Sequence, residues 1–248
     1  MPFLDRDGAA IHYEVRGDAG PVVLLTHGFS SAGEAFAANA DAIARAGHRV
    51  ITWDLRGHGA SEAGPDLRAY TLPLTLDDML GLLDVVGADT AVLGGHSLGG
   101  YLSLSFRIRH PERVRGLVLI DTGPGYRDDE ARAGWNRFVD KGAADLAAVH
   151  GEAAAQRMML TAEGILKQHD ANVIESLHLI DVPTLVIVGE KDTPFRGGSA
   201  YMASKIPGAE LVVVDGAGHS PFATHRGMFD AAVAKFLASL DGQDSDAR

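Results

Sequence analysis

The chain has no cysteine. That excludes a disulfide framework, a thiol nucleophile and thiolate metal sites. Basic residues are outnumbered, 22 against 33 acidic, for a formal charge of −11. With no Lys/Arg cluster, a nucleic-acid-binding role is not expected. No run approaches the roughly 18 apolar residues that a membrane span needs. The start, Met-Pro-Phe-Leu-Asp-Arg-Asp, has no apolar segment of the secretory kind, so a cytoplasmic protein is the expectation. No two histidines stand at H-x-x-x-H spacing, and no metal is expected. Repeats and low-complexity stretches are also missing, apart from alanine-rich helix.

What is present is 248 residues, 46% of them hydrophobic, enough for one large core with a small subdomain. Ala10–Val15 alternates and reads as an exposed antiparallel strand, with a hairpin partner at Pro2–Asp5. Continuous apolar runs then recur: Pro21–Thr26, His48–Trp53, Thr90–Gly94, Val114–Ile120, Pro183–Gly189 and Glu210–Val214. Such runs mark strands buried on both faces, as in a parallel sheet. Helical signals lie between them. They cover 32–46, the stretch from Thr75 to Val86 with Asp78 completing a near capping box, Tyr101–Ile108, and Gly227–Leu240. The alternation predicts an α/β fold with a doubly wound, mostly parallel sheet and right-handed crossovers. About sixty residues, 122–181, carry only short amphipathic helical patterns and read as a helical cap inserted after the sixth strand. Residues 1–121 and 182–242 form the core, and Gln243–Arg248 reads as a disordered polar tail.

Gly95-His96-Ser97-Leu98-Gly99 contains G-x-S-x-G. In isolation it is weak, since a chain of this size holds it by accident roughly 0.2 times. Here it follows a buried strand and opens a helix, which is the context a nucleophilic serine turn requires. A serine hydroxyl needs a base, and the base needs an orienting acceptor. Functional groups of open α/β sheets gather at the carboxyl ends of strands. Asp192 follows the strand ending at Gly189, and His219 follows the one ending at Val214. The chain order Ser97, Asp192, His219 suits this architecture. Asp121, at the end of Val114–Ile120, is a second candidate acid.

With these pieces in place, the sequence resembles the α/β-hydrolase family over nearly its whole length. The resemblance rests on His27-Gly28-Phe29, Asp54-x-Arg56-Gly57-His58-Gly59-x-Ser61, Gly95–Gly100, Gly189–Asp192 and Gly216-x-Gly218-His219. It implies Ser97 as nucleophile, His219 as general base and Asp192 as its orienting acid. It also implies an oxyanion hole from the backbone N–H groups of Phe29 and Leu98. Asp54, Arg56 and Ser61 would brace a loop, as would His27 and His58, and His96 would pack under the serine turn. A serine nucleophile argues against the epoxide hydrolases and haloalkane dehalogenases of the superfamily, which use aspartate there.

Tyr101, Phe195 and Phe222 adjoin the predicted catalytic loops, and Trp135, Phe138, Met158 and Met159 lie in the cap; together they are the candidate pocket. Arg127, Arg132 and Arg137 are an alternative anchor for a substrate carboxylate. The expected activity is cofactor-independent hydrolysis of a small-molecule carboxylic ester through an acyl-enzyme, by a monomer or homodimer. Enol-lactone hydrolysis and C–C cleavage of ring-fission products use the same triad and stay open. A non-catalytic small-ligand receptor is the reading from outside enzymology.

Overall fold

The apolar runs have nowhere to hide their backbone amides except in one ladder, and they build an eight-stranded sheet. The computed structural model describes residues 2–149 and 151–246. The strands are β1 (Phe3–Arg6), β2 (Ala9–Arg16), β3 (Val22–Thr26), β4 (Arg49–Trp53), β5 (Ala91–His96), β6 (Val114–Ile120), β7 (Thr184–Gly189) and β8 (Glu210–Val214). Their spatial order is β1-β2-β4-β3-β5-β6-β7-β8. β1 and β2 are antiparallel, and all pairings from β4 to β8 are parallel. β3, β5 and β7 are buried at every residue, which is why they read as unbroken apolar runs.

Helices cover both faces: α1 (Ala37–Arg45), α2 (Leu72–Val85), α3 (Leu98–Arg109), α7 (Thr193–Lys205), α8 (Pro221–Thr224) and α9 (Arg226–Asp246). One core packs Leu24, Ile51, Leu93 and Leu117 against α2 and α3 residues such as Met79 and Leu102. The other packs Val23, Val50, Val92 and Ile187 against Ile43, Phe229 and Val233. Alternate strand residues feed opposite cores because strand side chains alternate.

Three boundaries differ from the sequence reading. α2 starts at Leu72, with Thr71 as N-cap and Pro73 in its first turn. Proline's fixed φ suits that turn, so the helix opens ahead of the Thr75–Asp78 pair. Thr75 donates instead to the Thr71 carbonyl, and Asp78 pairs with Arg56. Residues 32–46 divide into a 3-10 turn, Gly33–Phe36, and α1. α9 continues through 243–246, where the sequence suggested a disordered tail, because nothing after Gly242 breaks a helix already begun. Residues 247–248 lie outside the described residues.

Between β6 and β7 the described residues hold no strand. They form α4 (Asp129–Ala147), α5 (Glu152–Thr161), a π-helical turn at Ala162–Leu166, and α6 (Asn172–Ser176). Asp128 caps α4 through the N–H of Ala131. This layer has its own small core of Val139, Ala143 and Ala162, with Phe29, Trp135 and Leu166 packed against it. No helix among the described residues is long and apolar enough to cross a membrane.

Candidate active site

Parallel registry sets the site. Thr26 lies opposite Gly95, His96 opposite Ile120, and Gly189 opposite Val214. The carboxyl ends of β3, β5, β6, β7 and β8 therefore finish at one level. The residues just beyond them, Phe29, Ser97, Asp121, Asp192 and His219, lie at the same end of the sheet, and polar side-chain atoms of the last three are within 4.8 Å of one another.

Ser97 stands between β5 and α3 with φ 52° and ψ −113°. A non-glycine residue with that backbone is strained, and such strain persists only where its surroundings enforce it. Its N–H donates to the Ile120 carbonyl, and its own carbonyl accepts from Gly100 and Tyr101. Thr122 Oγ1 donates to the same carbonyl at 2.6 Å. The flanking glycines are sterically required. A Cβ on Gly95 would strike the Gly99 carbonyl, and one on Gly99 would strike the Thr26 carbonyl.

Asp192 is 4% exposed, and its Oδ2 accepts from His219 Nδ1 at 2.8 Å. An ionised carboxylate can only accept, so Nδ1 carries the proton and Nε2 keeps its lone pair. The His219 side chain is 41% exposed. Phe195 stacks on its imidazole at 4.8 Å and 24°, and His96 sits on it at 4.7 Å. His96 Nε2 also donates to the His219 backbone carbonyl at 2.6 Å. Burial and neighbouring His219 push His96 down to about 4, so its ring is neutral at neutral pH.

The loop after β3 passes directly over the serine. A Cβ on Gly28 would lie 3.2 Å from that of Ser97. Ser30 has φ 60°, and its N–H donates to His58 Nε2. His27 bridges the Gly28 carbonyl and the Leu55 N–H. Burial and His58 hold His27 down to about 3. Asp54 ties the neighbouring loop by accepting from Gly33 and Ala60 N–H and from His12. Arg56 makes a two-pronged pair with Asp78, both fully buried. Ser61 Oγ donates to the Asp54 carbonyl. Among the described residues, the N–H groups of Phe29 and Leu98 have no protein acceptor. That leaves both donors available to a ligand.

Ser97 opens onto a cavity of about 530 Å³. Of the candidate pocket residues, Tyr101, Trp135, Phe138 and Phe195 line it. Met158, Met159 and Phe222 are absent from its lining. Met159 is exposed on α5, and Phe222 is buried beneath His96, wedged between Phe36 and Phe229. Phe222 adjoins the loop of His219 and the methionines lie in the cap, but closeness in sequence does not fix direction: Phe222 turns down into the aromatic cluster below the sheet end, and Met159 points to the outer side of α5. The arginines do not converge on it: Arg132 pairs with Asp129 and Arg127 with Glu175.

Sequence reasoning missed Thr122, Gln168 and Pro194, which also line the cavity. Thr122 lies just past β6, so the rule of strand carboxyl ends could have found it. Gln168 is placed by a long-range clasp: its N–H donates to Asn136 Oδ1, and its carbonyl accepts from Asn136 Nδ2, both at 2.9 Å.

Asp121 is fully buried with φ 43°. Its Oδ1 accepts the Gly189 N–H at 2.9 Å. Among the described residues no hydrogen bond joins it to His219, whose Nδ1 is taken by Asp192. Donor atoms of Asp121, Asp192 and His219 lie within 4.8 Å of one another, as a cation site would require. Asp192 Oδ2 and Asp121 Oδ1 are already committed to N–H donors, so these groups do not fit a metal well.

Comparison with known proteins identifies the fold family. The family described as alpha/beta hydrolase fold matches residues 21–171. A 2-hydroxymuconate semialdehyde hydrolase of Pseudomonas putida is 31% identical over 227 residues, 79% of each chain. A bifunctional epoxide hydrolase 2 of Sus scrofa is 35% identical over 119 residues, 48% of this chain. The matched part spans only 21% of that relative. Among solved structures, a hydrolase from Pseudomonas aeruginosa PA01 superposes with a TM-score of 0.77 at 28% identity, covering 95% of this chain and 97% of its own. The chain belongs to the alpha/beta hydrolase fold family.

Proposed function

We propose that the protein is a serine hydrolase of small carboxylic esters that works through an acyl-enzyme. The observation that carries this reading is the strained Ser97, which lines an apolar cavity, together with the Asp192–His219 hydrogen bond at the carboxyl end of the same sheet. Ser97 Oγ attacks the ester carbonyl while His219 Nε2 takes its proton. Asp192 keeps the ring in that tautomer and stabilises the imidazolium. The N–H groups of Leu98 and Phe29 receive the oxyanion. Losing one such donor costs about 3–4 kcal/mol of transition-state stabilisation in comparable sites. His219 then protonates the departing alkoxide, and a water deprotonated by the same nitrogen releases the acid. No residue in this scheme requires a cofactor. The cavity walls are aromatic and aliphatic, which suits apolar groups of small to medium size.

Ser97→Ala is the test. It should abolish turnover of a simple aryl ester and labelling by a fluorophosphonate, with an unchanged circular dichroism spectrum. Undiminished labelling of the variant overturns the assignment. Asp192→Asn should lower kcat by about 10⁴ if Asp192 is the orienting acid. A larger loss in Asp121→Asn would move that role to Asp121.

A second reading, C–C cleavage of ring-fission products, is favoured by the relative that aligns over 79% of both chains. It uses the same groups. A substrate panel of aryl esters, lactones and vinylogous diketones separates the two by kcat/KM.

A further inference from the structure

Asp121 and Asp192 form a pair of carboxyl groups, both almost wholly out of water. Asp192 has a partner in His219 Nδ1. Asp121 Oδ1 has one in the Gly189 N–H, but its Oδ2 is buried with none. An oxygen of each carboxyl nonetheless lies within 4.8 Å of one of the other. Two carboxylates cannot bond each other, for neither has a proton, and two like charges at that range cannot both persist. A proton on Asp121 Oδ2 removes both difficulties. It satisfies the orphan oxygen and turns a repulsion into an O–H···O⁻ bond, the stronger charge-assisted kind. The backbone is also committed to this arrangement. Asp121 takes a left-handed φ of 43°, and its N–H continues the sheet ladder to the Ile187 carbonyl.

We propose that Asp121 is a neutral carboxylic acid that donates from Oδ2 to Asp192, and so acts as a positioning residue that holds the Asp192 carboxylate square to His219. The inference rests on the triad reading above. Burial, then Asp192, raise the Asp121 carboxyl to about 8, so the proton is retained at neutral pH. The titratable groups that face it are Asp192 from the loop after β7 and His219 from the loop after β8; His96, at the end of β5, faces His219 rather than Asp121. When Asp121 ionises, the donated bond is lost and a second negative charge appears beside the pair. The Asp192 carboxylate is then no longer held square to His219 Nδ1.

The test is the pH dependence of Ser97 phosphonylation by a fluorophosphonate, which needs no knowledge of the substrate. Asp121→Asn keeps a donor in the same place but cannot ionise. It should label within about threefold of the wild type near neutrality. It should also lack the decline that the wild type shows above pH of about 8. Asp121→Leu should label at least about tenfold more slowly. In parallel, the infrared spectrum of the wild type should contain a protonated-carboxyl carbonyl band that fades through the same pH range and is missing from Asp121→Asn. The proposal is overturned if the wild type has no such band, if Asp121→Asn keeps the wild-type alkaline decline, or if it labels as poorly as Asp192→Asn. A wild type that is never labelled defeats the triad reading instead, and the infrared band still decides the protonation of Asp121. Should Asp121→Leu fail to fold, the band and the asparagine variant suffice.

Discussion

At the scale of single residues, the proposed chemistry calls on groups that strand ends deliver, and its precision on groups that hold them. Thr122 is of the second kind. Its hydroxyl donates to the carbonyl of Ser97, the most strained residue of the turn. A hydrogen bond of this type contributes about 1 kcal/mol net. Thr122→Val should therefore lower kcat by about fivefold with KM little changed, and Thr122→Ser should recover most of the loss. Steady-state kinetics on one aryl ester checks it; a change confined to KM would place Thr122 in substrate binding alone. Ser97, Asp192 and His219 were legible in the sequence because each follows its own strand within a few residues. The contacts of Asp121 with Gly189 and Asp192 were not. They depend on which strands lie side by side, and β6 and β7 are separated by the whole cap.

At the scale of elements, the sheet was readable and the cap was not. Buried parallel strands announce themselves as continuous apolar runs bounded by glycine, and each of the six predicted runs is a strand in the structure within a few residues. In the cap, apolar spacing shows that α4 and α5 are amphipathic but not what each apolar face meets. Trp135 and Phe138 on α4 line the cavity, whereas Met159 on α5 faces outward. The element is fastened by polar bonds that no periodicity reveals. Trp135 Nε1 donates to the Leu166 carbonyl, and Asn136 clasps Gln168. Asn136→Ala removes two of these bonds and frees the segment that carries Gln168 and Leu166 against the cavity. The expected result is a KM raised by up to about tenfold for esters with bulky acyl groups. Acetate esters, which touch less of the wall, should show little change. Equal effects on both would mean that the clasp stabilises the fold without shaping the cavity.

At the scale of the whole molecule, the convergence of five strand ends buries ionisable groups that the unfolded chain would expose, and stability must follow pH. His27 is held down to about 3 and His96 to about 4, with His58 also lowered, in each case mainly by burial. Below about pH 6.5 the unfolded chain protonates these rings while the folded one does not. Each therefore withdraws about 1.4 kcal/mol of stability per pH unit as pH falls from there toward its folded value. Asp78 and Asp121 act in the opposite sense. Burial raises them to about 6 and about 8, so the folded state holds protons that the unfolded chain has released above about pH 4. Their contribution to stability falls as pH rises through that window. Among the described residues these three rings, joined by His110, which burial also lowers, outweigh the two carboxyls on the acid side, and above pH 6.5 it is the raised Asp121 that still separates the states. The thermal midpoint should accordingly peak near pH 6.5, fall toward pH 4, and fall more gently up to about pH 8. Asp121→Asn should flatten the alkaline side, because an amide has no proton to hold or release, and should steepen the acid side by removing one opposing titration. His96→Asn should do the reverse on the acid side. Calorimetric melting of the three proteins across this range checks the signs. A wild-type midpoint that climbs steadily to pH 8 would mean that the buried histidines and Asp121 do not govern the stability of this fold.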